Sequence, residues 1–226
     1  MAIAWKILEQ APTPDGVLEL RQRGPKDFQI ALGGMVLMNS AQNRSEEALG
    51  KLACKDLTAP APRTLVAGLG LGFTLRSMLD VLPASAHVIA AELNPVVAAW
   101  CRGPLATLTA SAVTDPRVAV EITDVVKVIR RAAADSKQRL DAIVLDLYTG
   151  PHARSHPLHD PAYGVTAIAE MERALTPGGR LAVWGEAPNA AYEDRLKRGG
   201  FDVARHRPGS GGLKHVVYLA HRRRRA

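Results

Sequence analysis

Residues 66–79 read VAGLGLGFTLRSML, and the reading of this stretch governs the rest of the chain. A short apolar run, Thr64 to Ala67, leads into Gly68, Gly70 and Gly72, and an amphipathic segment begins at once. A brief apolar run bounded by glycine reads as a buried strand, and apolar residues three and four apart read as a helix. Strand, glycine loop and helix in direct succession open a nucleotide-binding α/β unit. With no Cβ in the way, such a loop lets the backbone approach a ligand closely. The dinucleotide fingerprint requires G-x-G-x-x-G; here Phe73 follows and the spacing is G-x-G-x-G, which argues against a dinucleotide. The chain also lacks G-x-x-x-x-G-K-[ST], which argues against ATP chemistry of the P-loop kind.

Outward from this stretch the pattern keeps alternating. TLVAG (64–68) is followed by a helix over 73–82, HVIAAEL (87–93) by a helix after Pro95, and VAVEI (118–122) by a helix over 125–134. DAIVLDL (141–147) precedes a helix over about 161–175, and RLAVWG (180–185) one over 189–198. FDVARHR (201–207) and KHVVYLAHR (214–222) close the chain as a hairpin. Apolar strands alternating with helices imply a mostly parallel sheet covered on both faces. With its antiparallel end, the expectation is an α/β fold: a seven-stranded, Rossmann-like sheet of the class I methyltransferase kind. Before it, VLELRQR (17–23), FQIAL (28–32) and MVLM (35–38) alternate as a small antiparallel β-hairpin unit. Asn43 or Ser45 can cap a helix carrying Leu49, Leu52 and Ala53 on its apolar face. Ala59-Pro60-Ala61-Pro62 is a stiff linker, so the expected units are 1–60 and 61–226.

Composition bounds the class. At 226 residues and 47% hydrophobic, the chain suits one globular domain with a small appendage. No apolar run approaches the ~20 residues needed to cross a bilayer. The N-terminus, MAIAWKILEQ, lacks the pattern of a secretory leader, and the expected location is cytoplasmic. Cys54 and Cys101 sit in apolar surroundings and read as buried thiols. The net charge is +7, but four of those charges, Arg222 to Arg225, sit in the tail, which reads as a solvated terminus. Aromatics are only 4% and no basic stripe interleaves with them, which argues against nucleic acid as a partner.

Three acids stand at the carboxyl ends of successive strands, where ligands of such sheets bind. Glu92, with Leu93 beside it, can accept the two ribose hydroxyls. Asp124 can take an adenine amino group, with the Val125 N–H as a donor to the ring. Asp146 ends strand four, at the reactive end of a cofactor. Carboxylates at this rim suit a cationic sulfonium and an ammonium, the charges of S-adenosyl-L-methionine.

The order of these blocks resembles the spermidine synthase (polyamine aminopropyltransferase) family over about residues 15–221. LMNSAQNRSEEAL, VAGLGLG, AELNP, DPRVAVEITD, DAIVLDLYTG, ALTPGGRLAV and KHVVYLA stand in for that family's successive blocks. The resemblance implies the fold and an adenosyl-sulfonium site at Gly68, Gly70, Gly72, Glu92, Asp124 and Asp146. Two acids of the family's own reaction are absent. Its glycine loop typically carries an acid where this chain has Leu71, and its strand-four block a second Asp where this chain has Thr149. The expectation is therefore an S-adenosyl-L-methionine-dependent methyltransferase with a small-molecule acceptor, paired as a homodimer through its N-terminal part. The alternatives are an aminopropyltransferase using decarboxylated S-adenosylmethionine and a non-catalytic nucleoside-binding protein. The loop YTGPHARSHPLHDPAY (148–163) supplies candidate bases, His152 and His159, and candidate substrate contacts, Tyr148 and Tyr163. Glu186, just past strand five, can meet a cationic substrate. The spacing of His152, His156 and His159 fits no helical ligand pair, so no metal is expected. Trp100 and Trp184 read as core residues.

Overall fold

The computed structural model describes residues 3–148, 150–151, 158–208 and 215–223. The N-terminal unit is a four-stranded antiparallel meander, β1 (Lys6–Thr13), β2 (Gly16–Arg23), β3 (Asp27–Leu32) and β4 (Met35–Asn39), paired in that order. Alternation in β2 and β3 turns Leu18, Leu20, Phe28 and Ile30 into one core. β1 was not visible in the sequence pattern because it buries no residue completely. Its ladder with β2 holds it in the sheet, and the Trp100 Nε1–H donates to Glu9 Oε2 at 2.7 Å, tying it to the rest of the molecule.

Helix α1 (Arg44–Cys54) leads into the second sheet. Its elements are β5 (Arg63–Ala67), α2 (Phe73–Leu79), β6 (His87–Glu92), α3 (Pro95–Arg102), β7 (Val118–Ile122) and α4 (Val125–Ala134), then β8 (Leu140–Leu145), α5 (Val165–Ala174), β9 (Leu175–Gly185), α6 (Ala190–Arg198), β10 (Phe201–His206) and β11 (Val216–Arg222). The strand order is β10-β11-β9-β8-β5-β6-β7; β9 through β7 run parallel, and β10 and β11 are antiparallel. This is the α/β architecture expected from the sequence. Chain order reverses between β5 and β8, which creates the crevice where such sheets take ligands. Two cores cover the two faces of the sheet, as parallel strands without a polar side require.

Element edges differ from the sequence reading where side chains intervene. α5 starts at Val165 rather than near 161, because Asp160 Oδ1 accepts the N–H groups of Ala162 and Tyr163 and holds a turn there. The tail is less solvated than expected. Arg222 pairs with buried Glu172 at 2.8 Å and Arg223 with Asp202 at 2.9 Å. Cys54 and Cys101 are free and buried, and burial pushes both thiols up to about 12. No helix among the described residues is long and apolar enough to cross a membrane.

Candidate active site

The stretch 66–79 becomes β5, its loop and α2, and its geometry is set by close approach. Gly68 has φ +83°, and a Cβ there would lie 2.6 Å from the carbonyl oxygen of Asp146. The ends of β5 and β8 thus touch backbone to backbone at the switch point, which only glycine permits. The loop is then held by a carboxylate. Leu69 N–H donates to Glu92 Oε2 at 2.9 Å and Asn94 N–H to Glu92 Oε1 at 2.8 Å. Burial raises the pKa of Glu92, and the backbone donors of Asn94, Leu69 and Leu93 oppose that shift. Each carboxylate oxygen keeps acceptor capacity for a further hydroxyl.

Asp124 caps α4, accepting Val126 N–H at 2.9 Å, and lines the same crevice together with Val125. Asp146, just beyond β8, accepts the Thr74 hydroxyl at 2.6 Å. Burial, then the negative charge of Glu46, push its pKa up to about 7, against the Thr74 hydrogen bond. A carboxyl in that range can hold or release a proton at neutral pH.

These groups share one cavity of 380 Å³, within the size range of small-molecule sites. Gly68, Gly70, Glu92, Leu93, Asp124, Val125, Asp146 and Tyr148 line it on one side. The other wall comes from the N-terminal meander: Leu18, Ile30, Leu32, Leu37 and Met38, with Thr13 and Asp15 at the rim. Met38 packs on the loop so closely that its Sδ would lie 2.7 Å from a Cβ added at Gly70. Sequence reasoning missed this wall. The strand alternation marked an apolar face, yet nothing in it says that the face also closes a ligand cavity.

Other expected site residues lie elsewhere. Gly72 ends the loop as the left-handed cap of α2 and packs against Thr109, off the cavity wall. Tyr163, expected as a substrate contact, is 3% exposed in the core, edge-on to Tyr192 at 5.8 Å. The apolar packing around α5 draws its ring inward. Glu186 and His159 are exposed and do not line the cavity. His152, His156 and Thr149 lie outside the described residues. Trp100 is fully buried; Trp184 is half-buried and meets His215 edge-on at 5.1 Å. No metal-binding cluster occurs among the described residues.

Sheet order, switch-point cavity and strand-end acids define a Rossmann-like α/β protein with an appended antiparallel meander. Solved structures share this arrangement across nearly the whole chain. Spermidine synthase from Thermotoga maritima has a TM-score of 0.72 at 17% identity, covering 96% of this chain and 72% of that one. A spermidine synthase in complex with the transition state analogue AdoDATO has a TM-score of 0.71 at the same identity. The chain therefore has the spermidine synthase fold. In sequence it is similar to the polyamine aminopropyltransferases of Mycobacterium tuberculosis, strain H37Rv, and Mycobacterium bovis, each 30% identical over 156 residues. That match covers 69% of this chain but only 28% of the length of those curated relatives. No family model matches the chain.

These relatives overturn the methyltransferase expectation, and with it S-adenosyl-L-methionine as the cofactor. The relatives are named for aminopropyl transfer and the solved neighbours for spermidine synthesis, one of them holding AdoDATO. The expectation rested on apolar Leu71 and on Thr149. Leu71 is only 4% exposed and packs in the core, so its side chain does not face the rim where an absent acid would signify a different reaction.

Proposed function

We propose that the chain is an aminopropyltransferase that takes decarboxylated S-adenosylmethionine in the 380 Å³ cavity and passes its aminopropyl group to a small amine. One observation carries this reading. Asp146 sits on the cavity wall at the end of β8 with a carboxyl whose pKa is raised to about 7. In the reaction the acceptor nitrogen attacks the carbon beside the sulfonium. A C–N bond forms, the C–S bond breaks, and methylthioadenosine leaves with the electron pair. The proton lost by the nitrogen goes to a base, the role assigned to Asp146. Glu92 takes the ribose hydroxyls, Asp124 and Val125 the adenine, and Gly68 and Gly70 give the backbone approach. Leu93 and Tyr148 border the ligand.

In this reading residues 1–60 cap the cavity and 61–226 form the nucleoside-binding domain. Exposed Ile7, Val17, Met35 and Val36 on the meander support a homodimer there, which light scattering tests. A cytoplasmic location is part of this proposal, and cell fractionation tests it.

The deciding experiment compares thermal shifts with decarboxylated S-adenosylmethionine, methylthioadenosine and intact S-adenosyl-L-methionine. The expected result is stabilisation by the first two beyond that by the third. Preference for the intact form, or no shift with any of them, refutes the reading.

A further inference from the structure

The backbone of Asp146 is fixed on both sides. Its N–H donates to the Ala67 carbonyl oxygen at 3.0 Å, and its own carbonyl oxygen lies against Gly68. What is left to set is the rotation of its carboxylate. Thr74, in the first turn of α2 and 2% exposed, sets it: the Thr74 hydroxyl donates to Asp146 Oδ2 at 2.6 Å. Among the described residues no other hydrogen bond reaches this carboxylate, so Oδ1 keeps its full acceptor capacity. Thr74 is itself clamped. α1 packs on α2 at Gly50, where a Cβ would lie 2.6 Å from the Thr74 carbonyl oxygen. The Ser77 hydroxyl donates to that same oxygen at 3.0 Å. Branching at Cβ restricts the remaining rotation of the Thr74 side chain.

The same hydroxyl has a second partner within reach. The Glu46 carbonyl oxygen stands 3.3 Å from Thr74 Oγ1. A hydroxyl carries one hydrogen and two lone pairs. With Asp146 ionised, that hydrogen goes to Oδ2, the shorter and charge-assisted bond. With Asp146 protonated, the carboxylic O–H donates to Thr74 Oγ1, and the Thr74 hydrogen turns to the Glu46 carbonyl. Neither state leaves the hydroxyl or the acid proton unpaired, which in a buried setting is costly. The surroundings favour the protonated form: burial first, then the negative charge of Glu46 from α1. Tyr163, ahead of α5, is a buried phenol whose proton burial, Asp160 and then Asp146 help to retain. Against them, the Thr74 hydrogen bond favours the ionised form. We propose that Thr74 is a positioning residue, which fixes the Asp146 carboxylate on the cavity wall and keeps it available as a base through a hydroxyl that serves both of its protonation states. The assignment rests on the aminopropyltransferase reading above.

The test is urea unfolding of the full chain at a series of pH values, for wild type, Thr74→Val and Thr74→Ser, each beside the same protein carrying Asp146→Asn. Thr74→Ala takes the place of Thr74→Val if the latter does not fold. The stability difference within each pair isolates Asp146. Its folded carboxyl titrates above the unfolded value, so its contribution is complete below the unfolded value and is lost until pH passes the folded one. The pH at which the loss levels off therefore reads the folded carboxyl. Expected is a levelling point about one pH unit or more higher in Thr74→Val than in wild type, and within about 0.3 unit of wild type in Thr74→Ser. The same proteins are assayed for methylthioadenosine release from decarboxylated S-adenosylmethionine with 1,4-diaminobutane. The acid limb of Thr74→Val should move up with the levelling point, and its rate near neutral pH should fall about tenfold, with KM for the sulfonium substrate within about twofold. Thr74→Ser should restore both. A levelling point in Thr74→Val within about 0.3 unit of wild type overturns the assignment, and so does an unmoved acid limb. Absence of methylthioadenosine release by wild type instead sinks the aminopropyltransferase reading, while the unfolding comparison still decides whether Thr74 holds Asp146.

Discussion

At the β5–β6 end of the cavity the carboxylate of Glu92 is engaged by two backbone N–H groups, whereas at the β8 end Asp146 is held by one hydroxyl and feels the negative charge of Glu46. The first end is a structural joint as much as a binding surface. Remove its carboxylate and two loops lose their common acceptor. The second end is electrostatically unsettled, with a carboxyl pushed up to about 7. Under the proposed function, the backbone hydrogen bonds would hold the part of the ligand that does not react, and the less compensated carboxyl would stand where bonds change. Burial raises both carboxyl pKa values, but compensating donors are numerous only at the first end.

The largest effect is expected at the seam between the two ends. Gly68→Ala forces a residue at φ +83° and presses a Cβ against the Asp146 carbonyl oxygen. Denaturant unfolding should show a loss of about 4 kcal/mol, and retention of wild-type stability would mean that the seam is not tight.

Asp146→Asn probes the unsettled end. An unfolded aspartate titrates near ~3.9. With the folded value near 7, the folded state binds the proton more tightly. That contribution to stability is complete below the unfolded value and is lost as pH rises through about 7. Asn stays neutral and keeps an acceptor for Thr74. Its advantage over wild type should therefore grow by roughly 2–4 kcal/mol between acid and neutral pH, read by urea unfolding at several pH values. A pH-independent difference would place the aspartate in an ordinary solvated setting.

Glu92→Ala tests the settled end. Methylthioadenosine binding should weaken by about 1–3 kcal/mol in calorimetry, the usual cost of a lost charged acceptor. Unchanged affinity would leave Glu92 as a joint alone. The smallest effect is expected for Trp100→Phe, which keeps the buried ring but cuts the 2.7 Å bond to Glu9. A loss of about 1 kcal/mol in thermal or denaturant unfolding, with earlier hydrogen exchange in β1, would show that this bond pins the meander over the cavity.

Much of the sheet-side cavity wall is legible in the sequence because it depends on residue types at strand ends. Gly68, Gly70, Glu92, Asp124 and Asp146 follow apolar runs, and such runs find their own place in a parallel sheet. Tyr163 misled because a tyrosine in a polar loop resembles a ligand contact until neighbouring aromatic rings claim it. The charge that Glu46 exerts on Asp146 went unread because acids in the first turn of a helix are already explained by the helix dipole. Nothing local connects it to a residue one hundred positions later.

The sequence by itself determined the α/β order, the glycine loop and the rim acids, since each arises from periodicity or backbone freedom within a few residues. Only the tertiary structure decided that the N-terminal meander walls the cavity, that Leu71 packs inward, and that Thr74 of α2 bonds Asp146. Those are long-range approaches, set by how two sheets and α1 pack together. Packing depends on the joint shape of surfaces that no single stretch of sequence contains.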